Sequence, residues 1–264
     1  MKKKILIFIV SYNAERTIGS VLSRIPKELT ETEILIIDDA SQDKTLERSQ
    51  ELLSDFNLRI FKNPKNLGYG GNQKLGYKYA IENDFDIVAL IHGDGQYAPE
   101  ELPSLLKPLI EESADAVFGS RMLKKRAALK GGMPTYKYYG NKILSWMQNK
   151  IAGTKLSEYH SGYRIYSTKA LKQIPFEKNS DDFDFDTDII LQLHAANLKI
   201  KEIAVPTFYG DEICHVKIIS YSLNALKSCL QYALQKFDVF YNPKFDLENE
   251  NPYRAKFNFA SSHS

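Results

Sequence analysis

The chain has 264 residues with 35 Lys plus Arg against 33 Asp plus Glu, a net charge of +2, and is long enough for one large α/β domain with a substantial core. That balance excludes bulk electrostatic attraction to nucleic acid or to an acidic partner, so any phosphate binding has to be local. Two cysteines, Cys214 and Cys229, make no CxxC pair and no disulfide framework, which fits a reducing, cytoplasmic compartment.

The opening MKKKILIFIV has a basic start, but its apolar run from Ile5 to Val10 is too short for a signal-peptide core and no small-residue cleavage site follows. It is expected to be the first strand. No segment approaches the ~20 apolar residues of a membrane span. Short apolar runs then alternate with helical patterns, the mark of a mostly parallel sheet covered by helices. Strands are expected at Lys4–Val10, Glu33–Ile37, Leu58–Lys62, Ile87–Ile91 and Ala116–Gly119, with helices at Ala14–Ile25, Lys44–Leu53, Gly70–Asn83 and Pro99–Glu112 between them.

After Arg121 the rhythm breaks into MLKKRAALKGGMPTYKYYG, a basic loop. A helix over Tyr138–Ala152, a strand around Gly162–Tyr166, a short helix near Thr168–Gln173, an acidic turn NSDDFDFDTD, a helix over Asp188–Ala196 and a last strand in KIKEIAVPTFY follow. From about Lys217 to Phe237, Ile218, Ile219, Leu223, Leu226, Leu230, Leu234 and Phe237 share one helical face, beside Lys217, Lys227 and Lys236. That amphipathic helix either packs on the domain as core, or lies at a membrane surface or covers an acceptor entrance. Residues 1–241 are expected to form one domain, and 242–264 a loosely held polar tail.

Ligands of open α/β sheets bind beyond the carboxyl ends of the strands, and polar clusters follow the first four strands: SYNAE, DDASQD, NPKNLGYGGN and HGDGQY. Asp38 and Asp39 end the second strand. A cap for the next helix uses Ser41 or Asp43, leaving a strand-end acid to accept from a base N–H or a ribose hydroxyl. NLGYGGN is a near miss to a dinucleotide fingerprint, because residue 73 is Gln. Its glycines suit either close approach of a phosphate at a helix N-terminus or simple turn chemistry. In HGDGQ, Asp94 and Gln96 offer two oxygens from one turn, and a hard divalent cation carrying a diphosphate takes such ligands. A cation there explains why an acid stands at the mouth of the sheet between Gly93 and Gly95.

His160, His194 and His215 lack metal-ligand spacing. Trp146 and the aromatics of Tyr136–Tyr139 are expected to pack in the core or the loop.

Taken in order over roughly residues 4–210, VSYNAERTI, IIDDASQDKT, NLGYGGNQKLGYKYA, HGDGQYAPEELPSLL, FGSRM, SGYRIY and FDFDTDIILQLHAANLKIKEIAVPTFY resemble the family 2 glycosyltransferases of the GT-A fold. The dolichol-phosphate-mannose-synthase-like branch is the most similar. The resemblance implies an inverting, Mg²⁺- or Mn²⁺-dependent transferase that moves a sugar from a nucleotide-diphosphate sugar to a polyprenyl phosphate or a glycan hydroxyl. It works in the cytoplasm, peripheral to the inner face of the membrane. It places the donor on Ser11, Tyr12, Asn13, Glu15, Asp38, Asp39, Asn66, Gly68, Asn72 and Gly93. The metal falls on Asp94 and Gln96, catalysis on Asp186, Asp94 and Arg121, and the acceptor on Arg121, Lys137, Asn141 and Arg164. The family's metal motif reads Asp-x-Asp-x-Gln, whereas His92 stands at its first position here. His92 is then a softer ligand, a donor to ribose or a core histidine. Asp186 is a general base toward a hydroxyl, or a positioning group if the acceptor is already an anionic phosphate, and Asp188 caps the following helix. Rival readings are a sugar-phosphate nucleotidyltransferase, which should carry a basic glycine-rich loop after the first strand, and a non-catalytic nucleotide-sugar-binding protein, which should lack the Asp186 region.

Overall fold

In the computed structural model, residues 3–207 and 218–247 are described. Phe208 and Tyr209 of the expected last strand, Cys214, His215, Lys217 and residues 248–264 of the tail lie outside them.

Seven strands, β1 (Ile5–Ser11), β2 (Glu33–Asp38), β3 (Leu58–Lys62), β4 (Ile87–His92), β5 (Ala116–Ser120), β6 (Arg164–Ser167) and β7 (Ile200–Ala204), form one sheet in the order β3-β2-β1-β4-β6-β5-β7. The apolar runs of β1, β2 and β4 are buried on both faces, as parallel strands under helices require. Strand alternation divides them. Leu6, Phe8, Leu35, Val88 and Leu90 enter one core with Tyr77, Phe185 and Ile189. Ile7, Ile9, Ile34, Ile36 and Ile91 enter the other with Ile18, Leu22 and Leu105.

One strand departs from the parallel pattern. β6 is antiparallel to both neighbours, with Leu90 of β4 and Phe118 of β5 each opposite Arg164. It therefore begins at the edge where the parallel strands end, which brings SGYR beside the β4 terminus. A short apolar run carries no mark of its direction, so the sequence leaves this pairing open.

Several helices differ from expectation at their ends. The first shortens to Ile18–Ser23, and Pro99–Glu112 divides into a 3₁₀ turn and a helix over Leu102–Ile110. The helix expected from Asp188 starts at Phe185. Asp188 is consequently not its cap but a fully buried residue of its first turn, accepting from the Ser180 amide at 3.0 Å and from Lys244 Nζ at 2.6 Å. Lys244 belongs to a 3₁₀ turn, Pro243–Phe245, and Phe245 packs with Leu191, Cys229 and Tyr232, so residues 242–247 are docked on the domain and not loose.

The helix Ile218–Lys236 lies against those at Thr135–Ala152 and Phe185–Ala195. It buries Ala225, Ser228, Cys229 and Tyr232, and turns Ile219, Leu223 and Leu230 outward. Its most apolar stripe is not its packing face.

Candidate active site

The loops beyond β1 and β2 are sewn together. Asn13 takes a left-handed backbone (φ 51°), and its amide donates to Ser41 Oγ at 2.8 Å, while the Ala14 and Glu15 amides donate to Thr45 Oγ1 (2.7 Å) and Asp43 Oδ2 (3.1 Å). In return Asn13 Oδ1 accepts from the Gln42 amide at 3.0 Å and Glu15 from the Lys44 amide at 3.3 Å. Ser41 Oγ and its amide both donate to Asp38 Oδ1. The other oxygen of Asp38, Oδ2, is buried without a hydrogen bond, 3.7 Å from Lys62 Nζ. Ser11 Oγ is also buried without a partner, and a side chain at Gly93 would meet it at 2.8 Å. Tyr12 projects, 41% exposed. Two polar atoms left unpaired at strand ends are what a ligand-binding rim retains.

Asp39 faces the other way. Its carboxylate accepts from Asn63 Nδ2 (2.7 Å) and from the Leu67 (2.8 Å) and Gly68 (3.0 Å) amides, and Asn66 Nδ2 donates to its carbonyl at 3.2 Å. The glycines next to it serve packing. Gly68 has φ +82°, and a Cβ there would lie 2.4 Å from the Asp181 carbonyl; one on Gly70 would lie 2.3 Å from that of Ser180. The amides of Gly70 and Gly71 donate to the Asp181 carbonyl at 2.8 and 3.2 Å, so close backbone approach at this N-terminus (helix Gly68–Glu82) is realised by the acidic turn. Asn72 Nδ2 ties the helix to the Ile37 carbonyl at 3.0 Å.

Beyond β4, Asp94 Oδ1 accepts from the Gln96 amide at 2.9 Å, closing an Asx turn. Its side chain is 44% exposed and Oδ2 lies 3.9 Å from His92 Nδ1. The Gln96 side chain makes no hydrogen bond among the described residues. One half-exposed carboxylate, with an amide side chain two residues on in the same turn, is a ligand set of the kind a hard divalent ion takes together with water and diphosphate. No group of three or more His, Cys, Asp or Glu side chains that could hold a metal ion by themselves occurs among the described residues.

His92 begins a buried chain. Its Nε2 lies 3.1 Å from Tyr69 Oη, which donates to Asp186 Oδ2 at 3.1 Å; Asp186 Oδ1 is 3.5 Å from both Gln73 Nε2 and Arg164 Nε. A side chain at Gly162 would strike His92 Nε2 at 2.4 Å and Tyr69 Oη at 2.8 Å, which explains the glycine in SGYR. Burial pushes the His92 pKa down, so the ring is neutral. Burial pushes Asp186 up, against the opposing pull of Arg164 and His92. Asp186 itself is 5% exposed.

The residues expected at the acceptor fall in two settings. Arg164 is 1% exposed; besides Asp186 it binds the carbonyls of Ser161 (2.8 Å), Tyr159 (2.7 Å) and Asp186 (3.1 Å), above the Phe118 ring. It lies under the site as a buried counter-charge, not at an acceptor surface. Arg121 grips Glu158 through its amide (2.8 Å) and guanidinium (Nε, 2.9 Å), and Nη2 reaches the His160 carbonyl at 3.0 Å. His160 Nδ1 in turn lies 2.6 Å from Tyr221 Oη of the C-terminal helix. Lys137 and Asn141, half-buried, sit one turn apart on the Thr135–Ala152 helix. Tyr69, Gln73, Glu158 and Tyr221 escape sequence reasoning, since nothing in their spacing ties them to residues so distant in the chain.

An open, mostly parallel sheet with its polar residues gathered at the carboxyl ends belongs to the class of α/β proteins that bind ligands at that edge. The model of Glycosyl transferase family 2 matches residues 6–175, and the chain belongs to that family. A UDP-N-acetylglucosamine–dolichyl-phosphate N-acetylglucosaminyltransferase of Methanococcus voltae is 29% identical over 222 residues, covering 79% of this chain and 87% of that protein. An undecaprenyl-phosphate mannosyltransferase of Micrococcus luteus is 26% identical over 221 residues, covering 81% and 87%. Among solved structures, glucosyl-3-phosphoglycerate synthase from Mycobacterium tuberculosis, in complex with Mg²⁺ and UDP, superposes with a TM-score of 0.67 at 17% identity, covering 88% of this chain and 79% of that one. This likeness is one of fold.

Proposed function

We propose that the chain transfers a sugar, with inversion, from a nucleoside-diphosphate sugar to the phosphate of a polyprenyl phosphate. The nucleotide occupies the rim made by Ser11–Glu15, Asp38 and Gly93, backed by the Asn66–Asn72 segment that Asp39 holds, and Asp38 Oδ2, which makes no hydrogen bond, accepts from base or ribose. Asp94 and Gln96 hold Mg²⁺ or Mn²⁺, which when bound offsets the charge growing on the leaving diphosphate. Arg121, anchored by Glu158, receives the acceptor phosphate with Lys137 and Asn141. A phosphate oxygen attacks the anomeric carbon from the face opposite the diphosphate, and the bond to the diphosphate breaks. Since a charged donor does not cross a bilayer, the reaction is assigned to the cytoplasmic face.

The observation that carries this reading is the state of Asp186. Both its oxygens are engaged, by Tyr69 at 3.1 Å and by Gln73 and Arg164 at 3.5 Å, so it is poorly placed to take a proton from a hydroxyl and well placed to fix geometry. An anionic acceptor needs no base. The lipid-phosphate activities named for the two relatives support the same choice.

The test is release of nucleoside diphosphate from a panel of UDP- and GDP-sugars with Mg²⁺ or Mn²⁺, with and without a polyprenyl phosphate. Lipid-dependent release and a lipid-linked sugar product are expected, and Asp94→Ala should lower turnover by at least about 10² while leaving the unfolding midpoint within a few degrees. Transfer only to a glycan hydroxyl would restore Asp186 as base. Asp94→Ala turnover within a few-fold of wild type would remove the metal from this turn.

A further inference from the structure

Two helices that pack on each other, Thr135–Ala152 and Ile218–Lys236, each turn an apolar stripe away from the domain. On the first, Tyr136, Tyr139, Ile143 and Trp146 recur at helical spacing and all are exposed. Trp146 is the single tryptophan of the chain and is 61% exposed, contrary to the core or loop packing expected of it. On the second, Ile219, Leu223 and Leu230 are exposed, and Phe237 continues the stripe past its end. Large apolar residues grouped in this way mark an interaction surface, whereas scattered ones do not.

The charges carried by the two helices themselves are of one sign, with Asp238 next beyond the second. Neither helix contains Asp or Glu, although 33 of the 264 residues are acidic, while Lys137, Lys142 and Lys150 lie on one and Lys227 and Lys236 on the other. A second copy of the chain would set lysine against lysine across a two-fold axis. A surface that is negative and accepts aromatic and aliphatic side chains at its boundary matches both properties, and tryptophan and tyrosine favour such a boundary.

We infer that the paired outer faces of these two helices dock on an anionic lipid bilayer, with Trp146, Ile143, Leu223 and Leu230 entering the headgroup boundary and Lys142 and Lys227 meeting lipid phosphates. The inference stands on the helices alone. If the acceptor is a polyprenyl phosphate, as proposed above, the same face also orients the site, because Tyr221 of the docked helix bonds His160, whose carbonyl accepts from Arg121.

The single tryptophan supplies the measurement. Its emission is followed as vesicles of phosphatidylglycerol and phosphatidylcholine, or of phosphatidylcholine alone, are added to the full chain at low salt, with flotation in parallel and no nucleotide sugar present. A blue shift and co-flotation with the anionic vesicles are expected. The double variant Lys142→Gln/Lys227→Gln should weaken binding roughly fivefold for each lysine neutralised, and Leu223→Ser/Leu230→Ser should abolish flotation with an unchanged circular dichroism spectrum, since both leucines are exposed. The inference is overturned if wild type neither shifts nor floats. Equal binding to both vesicle types, undiminished in the lysine variant, overturns the anionic assignment. A shift that follows protein concentration without lipid, with a dimer in sedimentation, gives the face to a second copy instead. Because no turnover is read, failure here leaves the transferase reading intact, and the converse holds.

Discussion

Tyr69 has neither charge nor nucleophilicity, yet its hydroxyl bridges His92 and Asp186, at 3.1 Å each. Its ring is held independently, stacked on Phe183 at 5.1 Å and edge-on to His92 at 5.4 Å, so Tyr69→Phe removes the hydrogen bonds and keeps the packing. An under-bonded buried carboxylate costs about 1–3 kcal/mol. With Asp186 as a positioning group, Tyr69→Phe should lower kcat about tenfold and leave KM for the donor within twofold; a changed KM with kcat intact would place the hydroxyl on the nucleotide instead. His160 makes a second prediction at this scale. Burial pushes its pKa down to about 3, and Nε2 is buried without a partner, so the folded state holds the ring neutral. Between about pH 6.5, the ordinary histidine value, and about 3, the unfolded chain binds the proton and the folded chain does not, so stability is full above that window and falls as pH drops through it. Thermal melting at pH 7 and pH 5 should show a smaller loss in His160→Gln than in wild type. Equal losses would mean that the ring titrates normally.

Among the elements, the loop from Asn63 to Gly68 depends on one strand-end acid. Asp39→Ala would orphan Asn63 Nδ2 and the Leu67 amide, and leave the Gly68 amide with Asn66 Oδ1 alone, so it should lower unfolding free energy by about 3 kcal/mol without any nucleotide present, and weaken nucleoside diphosphate binding because the rim loosens. Urea unfolding and calorimetry measure the two effects separately; a variant as stable as wild type would show that the loop is held by other contacts. This residue also shows what the sequence could and could not convey. Asp38 and Asp39 are adjacent and chemically identical, and their position at a strand mouth is legible because an apolar run ends there. Which one turns toward the ligand rim is not, because strand alternation sends them to opposite sides and only the folded loops decide what each side holds. Strands β1, β2, β4 and β5, buried on both faces, announce themselves as apolar runs. The direction of β6, the inward role of Arg164 and the Arg121–Glu158 pair depend on contacts between distant segments, which leave no local periodicity.

At the scale of the whole molecule, the amphipathic pattern of the C-terminal helix is legible, but its orientation departs from the usual case: small residues and Tyr232 pack inward, Leu226 and Leu234 are half-buried, and Ile219, Leu223 and Leu230 face out. A hydrophobic face identifies a surface to be covered and does not say by what. The placement of β6 has a consequence for how the molecule is made. Its two partners, β4 and β5, both precede it in the chain, so a polypeptide emerging from the ribosome leaves the edges of β4 and β5 that β6 will join unpaired until residues beyond Ser167 have been synthesised. Exposed edges of apolar strands invite pairing with other chains, and joins between segments so far apart in sequence form slowly. The arrival of β6 closes that gap and in the same event sets Gly162 against His92 and Arg164 above Phe118, with Asp186 still to come from the ribosome. A prematurely ended chain is thus both prone to aggregate and without a site, and the strand that joins β5 to the rest of the sheet is the one around which the chemistry is organised.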